Sequence, residues 1–390
     1  MASEKTRIPV IYAPLPAEDV DELQLAHATK PTSKTCVQRL ISQHSLRPIT
    51  VLAIALSAVT CLILVRCAIL GPDQPCLCFS SNGAPVAQAE LPTHYVLPSG
   101  DKIPSVALGV WQAGKGEVGA AVKAALDAGY RHIDGAWRYA NEAEVGQAIN
   151  DSDISREDIW LTSKLWNAFH APEDIEQVLD ETLGNLQTSY LDLYLIHWPV
   201  AFKKDTTEVD EDLTADPYPT WQKLEEMVEK GKVRNIGISN FNIQRVQNLT
   251  ANPLKVTPAV NQVELNYWNP QPELLEWSKA HGMPLEAYSP LGSSRQVKET
   301  LQVPEVQAIA KKLGITPAQA LISWHVQRGT IVLPKSVTPS RIEENFHVHV
   351  LPEDLFNKLE EAATSHPPQR VVNPSKDWGL DFDIFDDYPY

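Results

Sequence analysis

From about residue 94 onward, short apolar runs alternate with longer amphipathic stretches. This alternation is typical of repeated strand and helix units that build a parallel sheet. Eight of the apolar runs have the length of strands: 105–108, 132–134, 159–163, 192–196, 235–239, 259–264, 283–287 and 331–334. The pattern therefore predicts an α/β fold of the (β/α)8 barrel type, which holds eight such units in roughly 250 residues.

The segments between these runs have helical periodicity, and several have Pro in the first turn and Gly just after the end. The clearest predicted helices are 117–128, 172–186, 218–230, 272–281 and 304–313. A doubly wound sheet is the competing α/β fold, but its Gly-x-Gly-x-x-Gly fingerprint is absent. Gly109, Gly114 and Gly116 have a different spacing that is more typical of a turn.

The first 93 residues follow another pattern, because residues 49–65 carry no charge and residues 67–70 extend the apolar run past Arg66. A run of about 20 residues can cross a bilayer, and this one begins too late for an ordinary signal peptide. We therefore expect a flexible tail over 1–47, a transmembrane helix over 48–70, a linker over 71–93 and the barrel over 94–390. The alternative is a buried helix of the soluble domain.

Charge around this run indicates an orientation. Lys30, Lys34, Arg39 and Arg47 lie shortly before it, whereas residues 71–101 contain no Lys or Arg. The positive-inside rule then places the N-terminus in the cytoplasm and the barrel on the opposite face. On that face the Asn150 and Asn248 acceptor patterns would be open to glycosylation. Cys67 is either a plain membrane-embedded cysteine or an acylated one.

The net charge and the positions of the cysteines argue against nucleic acid, disulfides in the large domain and a zinc site. The net charge of −16 argues against nucleic acid, which is bound by clustered Lys and Arg. All five cysteines lie in the first 78 residues, so the large domain needs no disulfide. Cys76 and Cys78 lack the spacing and the second ligand pair of a zinc site, and we predict no metal.

Polar residues follow three consecutive predicted strands. Asp134 with Tyr139 just beyond it, then Lys164, then His197 come where these strands end. Active sites of barrels are built at the carboxyl ends of the strands. Singly, these residues would be a salt bridge, a rim aromatic and a strand-end histidine, but four complementary types together favour a site.

This set suits carbonyl reduction, which delivers a hydride to carbon and a proton to oxygen. Tyrosine has an unperturbed pKa of about 10, and an ammonium such as that of Lys164 would favour its phenolate. Asp134 would hold the lysine by an ion pair. His197 would orient the carbonyl oxygen.

Seven motifs of this chain occur in the order known from one enzyme family: Gly129-Tyr-Arg-His-Ile-Asp134 with Tyr139, Ser163-Lys164-Leu-Trp166, Leu195-Ile-His197-Trp198-Pro199, Gly237-Ile-Ser239-Asn240-Phe241, Asn261-Gln262, Ala287-Tyr288-Ser289-Pro290-Leu291-Gly292 and Pro334-Lys335-Ser336. Along essentially all of residues 94–390 the chain resembles the aldo-keto reductases. The resemblance implies that Asp134, Tyr139, Lys164 and His197 are the catalytic tetrad, with Tyr139 as the proton donor.

The resemblance also implies a nicotinamide cofactor. Tyr288 would stack on the nicotinamide, and its carboxamide would bond to Ser239, Asn240 and Gln262. The loop 289–294 would lie across the pyrophosphate, through Ser289, Leu291 and Ser293.

The segment from Lys335 to Arg341 is similar to the family's site for the adenosine 2′-phosphate, with Ser336 inside it. Glu344 and Asn345 would lie near the adenine. Two cations beside a helix start suit a phosphate, which predicts NADPH over NADH. The alternative is a solvated Lys and Arg at a helix start.

For the substrate, the resemblance indicates an apolar pocket made by Trp111, Trp166 and Trp198, with His197 and a variable C-terminal loop over 371–390. Arg138 either attracts a carboxylate or points to solvent. Aspartates in the C-terminal loop would repel acids and so favour polyols, sugars and neutral aldehydes.

We thus expect a membrane-tethered, NADPH-dependent aldehyde or ketose reductase whose reaction is reversible, and the resemblance suggests a monomer. A second hypothesis is a membrane-tethered NADPH-binding sensor or regulatory subunit with little turnover. The side of the membrane stays open, because the charge bias points away from the cytosol that supplies NADPH.

Overall fold

The computed structural model describes residues 90–385. An antiparallel hairpin of β1 (His94–Val96) and β2 (Lys102–Pro104) precedes a parallel sheet of eight strands. The sheet consists of β3 (Leu108–Gly109), β4 (His132–Asp134), β5 (Trp160–Leu165), β6 (Leu191–Ile196), β7 (Val233–Ser239), β8 (Asn261–Glu264), β9 (Leu285–Tyr288) and β10 (Ile331–Val332). The strands are neighbours in chain order throughout, which is the topology of repeated strand and helix units.

Helices connect these strands and continue beyond the last one. They are α1 (Val118–Ala128), α2 (Glu142–Asn150), α3 (Pro172–Asn185), α4 (Glu211–Ala215), α5 (Tyr218–Glu229), α6 (Ile243–Thr250), α7 (Pro272–Ala280), α8 (Ser293–Thr300), α9 (Pro304–Leu313), α10 (Pro317–Arg328), α11 (Pro339–Phe346) and α12 (Glu353–Thr364). Short 3-10 helices occupy Trp137–Tyr139, Arg156–Asp158 and Asn167–Phe169. The five predicted helices match to within one residue at each end.

Hydrogen bonds between the first and last strand regions close the sheet into a barrel. Ala107 N donates to Val332 O at 2.9 Å, and Val332 N donates to Ser105 O at 2.9 Å. This pairing explains why the first strand was predicted at 105–108 but is found at Leu108–Gly109. Residues 105–107 pair with β10, whereas Leu108 and Gly109 pair with β4. The other seven strands lie within two residues of their predicted bounds, whereas the hairpin was not predicted.

Side-chain alternation along each strand separates two buried clusters. Ile133, Leu161 and Ile236 belong to the cluster that includes the helix residues of α1 and α3. Leu193 and Leu195 belong instead to a cluster with Ile103 of the hairpin. Since successive strand side chains face opposite ways, His197 follows Leu195 at the next position of the interior face.

The predictions for the N-terminal region lie outside the described residues. These are the tail over 1–47, the transmembrane helix over 48–70 with Cys67, and nearly all of the linker over 71–93; residues 386–390 of the C-terminal loop lie outside as well. Within residues 90–385, none of the helices has both the length and the apolar character that a membrane span needs.

Candidate active site

Asp134 and Lys164 form a buried ion pair at the ends of β4 and β5. Lys164 Nζ lies 2.9 Å from both Asp134 Oδ1 and Oδ2, and it also donates to Gly135 O at 2.8 Å. Burial opposes the charge on Lys164, but the attraction of Asp134, and of Tyr139 in its phenolate form, outweighs it and raises the pKa of the ammonium. The lysine therefore stays charged inside the barrel.

Tyr139 ends the 3-10 helix that follows β4, and this turn brings its ring over Lys164. The distance from Lys164 Nζ to the ring centroid is 5.2 Å. Although part of the side chain is exposed at the barrel mouth, the surrounding protein raises the pKa of Tyr139, while Lys164 lowers it. Lys164 thus lowers the pKa of Tyr139 as expected, but burial has the larger effect, and the pKa is raised overall. Tyr139 is thus a phenol, able to donate a proton, at neutral pH.

His197 lies across from Tyr139, with the two ring centroids 5.9 Å apart. Burial, and then the positive charges of Lys164 and Arg138, hold the pKa of His197 well below its usual value. A neutral imidazole can donate one hydrogen bond from its N–H group while it keeps that proton. The four predicted tetrad residues are therefore brought together, with the chemical states that proton transfer and orientation require.

A second buried carboxyl group lies beside the tetrad. Gln262 Nε2 donates to Asp134 Oδ1 at 2.8 Å and to Glu286 Oε2 at 2.9 Å. Glu286 is fully buried in β9, and its own burial and the nearby charge of Asp134 raise its pKa. Glu286 was not among the predicted site residues; a charged residue between Leu285 and Ala287 in an apolar strand was the available signal.

The residues predicted to hold the nicotinamide end form one hydrogen-bonded network on β7, β8 and β9. Ser239 Oγ donates to Gln262 O at 2.7 Å, Asn240 Nδ2 donates to His197 O at 2.9 Å, and Tyr288 OH donates to Asn240 Oδ1 at 2.7 Å. The structure therefore brings Ser239, Asn240, Gln262 and Tyr288 together beside His197.

Left-handed backbone conformations cluster in the segments predicted for the cofactor. Asn240, Ser289 and Ser293 have φ values of 67°, 49° and 58°, although none is glycine. Such conformations persist where the surroundings hold them, and they concentrate at ligand-binding sites. Leu291, between the two serines, packs against the hydrophobic core.

The residues predicted for the 2′-phosphate lie at the loop after β10 and the start of α11. Lys335 and Arg341 are both exposed, and Arg341 Nη2 donates to Thr338 Oγ1 at 2.6 Å. Lost hydration lowers the pKa of Lys335, Glu117 raises it, and the charge of Arg341 lowers it again. Two cations close enough to repel each other at the start of α11 fit a phosphate dianion, which would relieve their repulsion.

The predicted adenine neighbours lie further along α11. Asn345 is buried, and the carboxylate of Glu344 accepts a hydrogen bond from Thr316 Oγ1. Ser336 Oγ accepts from Thr338 N at 3.1 Å, which shapes the turn before the helix. Glu344 and Asn345 thus lie in the last turn of α11, whereas Lys335 and Arg341 lie before it and in its first turn.

Aromatic rings surround His197 on its other sides. The ring of Trp166 lies 5.4 Å from His197 and that of Trp198 lies 6.2 Å from it, measured between centroids. Trp378, which was not among the predicted pocket residues, packs on Trp166 at 5.8 Å and on Trp198 at 5.2 Å. Trp111 is 38% exposed. The apolar pocket predicted from Trp166 and Trp198 therefore has a wall from the C-terminal segment.

Two charged residues of this region, Arg138 and Asp383, are less exposed than charged side chains usually are. Arg138 is half-buried, with its guanidinium carbon 5.3 Å from the ring centroid of Trp166, so it packs on the pocket instead of pointing freely to solvent. Asp383 is buried and accepts from Asn373 Nδ2 at 2.9 Å and from Phe385 N at 2.8 Å. The Asp383 carboxylate is therefore bonded within the C-terminal segment itself.

The chain is similar to one family of oxidoreductases and to several of its members. The profile described as the aldo/keto reductase family matches residues 105–364. A glycerol 2-dehydrogenase (NADP(+)) of Hypocrea jecorina is 40% identical over 307 residues, which is 73% of this chain and 96% of the relative. A glycerol 2-dehydrogenase (NADP(+)) of Saccharomyces cerevisiae is 40% identical over 305 residues, covering 74% and 96%.

Solved structures agree with this similarity. The structure of the aldose reductase from Schistosoma japonicum matches with a TM-score of 0.68 and 38% sequence identity, covering 75% of this chain and 97% of that one.

Proposed function

The chain belongs to the aldo/keto reductase family and is an NADP-dependent oxidoreductase that reduces carbonyl groups; we propose that its substrates are small neutral aldehydes or ketones related to glycerol. The observation that carries carbonyl reduction is the contact of Lys164 with Asp134 at 2.9 Å beneath the ring of Tyr139. The reduction is reversible, so the same site oxidises the corresponding alcohols.

In this proposal, bound NADPH supplies the hydride. Tyr139 donates its phenolic proton to the carbonyl oxygen, and Lys164 stabilises the phenolate that remains. Asp134 keeps Lys164 charged and in place. His197, neutral, donates a hydrogen bond that orients the carbonyl oxygen toward Tyr139. In the oxidation of an alcohol, the Tyr139 phenolate accepts the proton.

We assign the cofactor to the residues that the family motifs name. Tyr288, Ser239, Asn240 and Gln262 would hold the nicotinamide. Ser289, Leu291 and Ser293 would contact the pyrophosphate. The adenosine end would contact Lys335, Ser336, Arg341, Glu344 and Asn345. Two cations at the start of α11 support NADPH over NADH.

The substrate class is supported by two relatives that are named glycerol 2-dehydrogenases and that align over 96% of their length. Small polar carbonyl compounds such as glyceraldehyde and dihydroxyacetone would be reduced, and glycerol would be oxidised. Trp111, Trp166, Trp198 and His197 would line the pocket.

The test is to follow NADPH oxidation by the full chain with glyceraldehyde, dihydroxyacetone and a bulky aromatic aldehyde. We expect turnover that Tyr139→Phe abolishes while NADPH binding is retained. Binding without turnover of any carbonyl would support the sensor hypothesis instead.

We also propose that residues 48–70 anchor the protein in a membrane. Support comes from the uncharged run at 49–65 and from the cations that precede it. The full chain should stay in the membrane fraction after an alkaline wash, and Leu62→Lys with Leu64→Lys should release it, because each lysine costs about 3 kcal/mol at a helix centre. Wild-type protein in the washed supernatant would refute the anchor. Protease protection of sealed vesicles would then report the side of the barrel.

A further inference from the structure

Glu264 is a fully buried acidic residue at the carboxyl end of β8. It lies two positions after Gln262 and so shares its face of the strand, one layer nearer the barrel mouth. Its register partner on β9 is Tyr288. Carboxylates are almost never fully buried without partners, so the groups that Glu264 bonds indicate its purpose.

The partners of the Glu264 carboxylate come from the C-terminal segment. Glu264 Oε2 accepts from Val372 N at 2.7 Å and from Val371 N at 3.1 Å, and Oε1 accepts from Val371 N at 3.0 Å. Asn266 Nδ2 donates to Oε1 at 3.2 Å. Two consecutive backbone N–H groups, more than 100 residues away along the chain, thus converge on one carboxylate.

The same segment reaches the substrate pocket. Six residues after Val372, Trp378 packs on Trp166 and Trp198, the two rings that surround His197. The segment is held again at its far end, where Asn242 Nδ2 donates to Phe385 O at 3.0 Å. Glu264 is therefore the attachment at which the segment enters, and Trp378 is its contact with the pocket.

We infer that Glu264 is a positioning residue for the substrate: by bonding Val371 and Val372 it fixes the course of the C-terminal segment and so holds Trp378 against the pocket. The inference rests on the proposed function, because it assigns the cluster around His197 to the substrate. Glu264 bonds the C-terminal segment, whereas Gln262, on the same strand, bonds Asp134. Glu264 therefore acts on the position of the substrate, and Gln262 acts on the residues that transfer the proton.

The test is Glu264→Gln, which keeps the shape but replaces one acceptor oxygen with an NH2 group that faces the donors. We expect the KM for glyceraldehyde, a substrate in the proposed function, to rise about tenfold, from the loss of hydrogen bonds to a charged group. The kcat and the Kd for NADPH should change by less than about twofold, a size typical of residues outside the reacting contacts.

Trp378→Ala should raise the same KM. Because both changes act through one segment, the double variant should show less than the product of the single effects. Glu360→Gln is the matched control: it makes the same chemical change at a carboxylate that bonds Arg328 and Trp324, and it should lower stability without changing KM. The inference would be overturned if the two single effects on KM multiplied in the double variant. It would also be overturned if the Kd for NADPH rose as much as KM.

Hydrogen exchange provides a readout that needs no turnover. Backbone amides of residues 371–385 should exchange faster in Glu264→Gln than in wild type, and exchange elsewhere in the barrel should not change. If Glu264→Gln does not fold, Val372→Pro removes the closest donor and should give the same local increase. Unchanged exchange would refute the inference even if the enzyme is active, whereas faster exchange in an enzyme without turnover would refute only the proposed function.

Discussion

Gln262 donates to Glu286 at 2.9 Å from the same amide nitrogen that bonds Asp134. One side chain thus connects the Asp134 and Lys164 ion pair to a carboxyl group that lies deeper in the barrel. His132 Nε2 lies 3.9 Å from Glu286 Oε1, and burial lowers the pKa of His132 to about 4, so this imidazole is neutral. With one ammonium for two carboxyl groups, the raised pKa of Glu286 keeps it protonated at neutral pH.

The charge state of Glu286 should influence alcohol oxidation at high pH. When Glu286 ionises, its negative charge disfavours the Tyr139 phenolate, which is the proposed base of the oxidative direction. Glu286→Gln mimics the protonated form and cannot ionise. We expect unchanged reduction near neutral pH and an oxidative pH optimum that moves to lower pH.

The measurement is the pH profile of glycerol oxidation from pH 6 to 10. Glu142→Gln, which changes a buried carboxyl group bonded to Ser163, is the control and should leave the profile in place. An oxidative profile of Glu286→Gln that coincides with wild type would contradict this account.

Lys164→Met should affect both stability and catalysis. It leaves Asp134 buried without its ammonium, which typically costs about 3–5 kcal/mol. It also removes the charge that lowers the pKa of Tyr139, so oxidation should lose more activity than reduction at the same pH. Thermal unfolding and the ratio of the two rates check this, and an unchanged ratio would argue against a role for Lys164 in the Tyr139 equilibrium.

Cofactor choice should depend on Lys335 and Arg341. Removing one charge-assisted contact to a phosphate typically costs about 1.5–3 kcal/mol, so Arg341→Ala should weaken NADPH binding by roughly tenfold or more. NADH lacks the 2′-phosphate and should bind as before. Tryptophan fluorescence titration with both cofactors measures the ratio, and equal losses for NADPH and NADH would refute the assignment.

Glu142 should make stability depend on pH. Burial raises the pKa of Glu142 to about 7, against hydrogen bonds from Ser163 and others that lower it. An acid with a raised folded pKa contributes stability that is fully present below its unfolded pKa of 4.5 and is lost as pH rises through 7.

Glu142→Gln should remove this slope, worth on the order of 3 kcal/mol across that interval. Melting temperatures of wild type and variant at pH 5 and pH 8 measure it. A wild-type melting temperature that did not fall relative to the variant would contradict the buried, protonated state.

The alternation of apolar and polar positions was sufficient to predict the strands and the principal helices, because both depend on periodicity over a few residues. It also located Asp134, Lys164 and His197, since barrel strands all end at the same mouth. The hairpin at His94–Pro104 was missed because its strands, with the sequences His-Tyr-Val and Lys-Ile-Pro, contain no apolar run. Trp378 was missed because a tryptophan in a segment without periodicity carries no local signal.

By itself, then, the sequence determined the eight strand and helix units, the four residues at the barrel mouth and the family. Only the tertiary structure decided that Glu286 lies beside the tetrad, that Glu264 bonds Val371 and Val372, and that burial outweighs Lys164 in setting the pKa of Tyr139. The physical reason is distance along the chain. Periodicity reports which way a side chain faces, whereas desolvation and hydrogen bonding depend on segments that folding alone brings together.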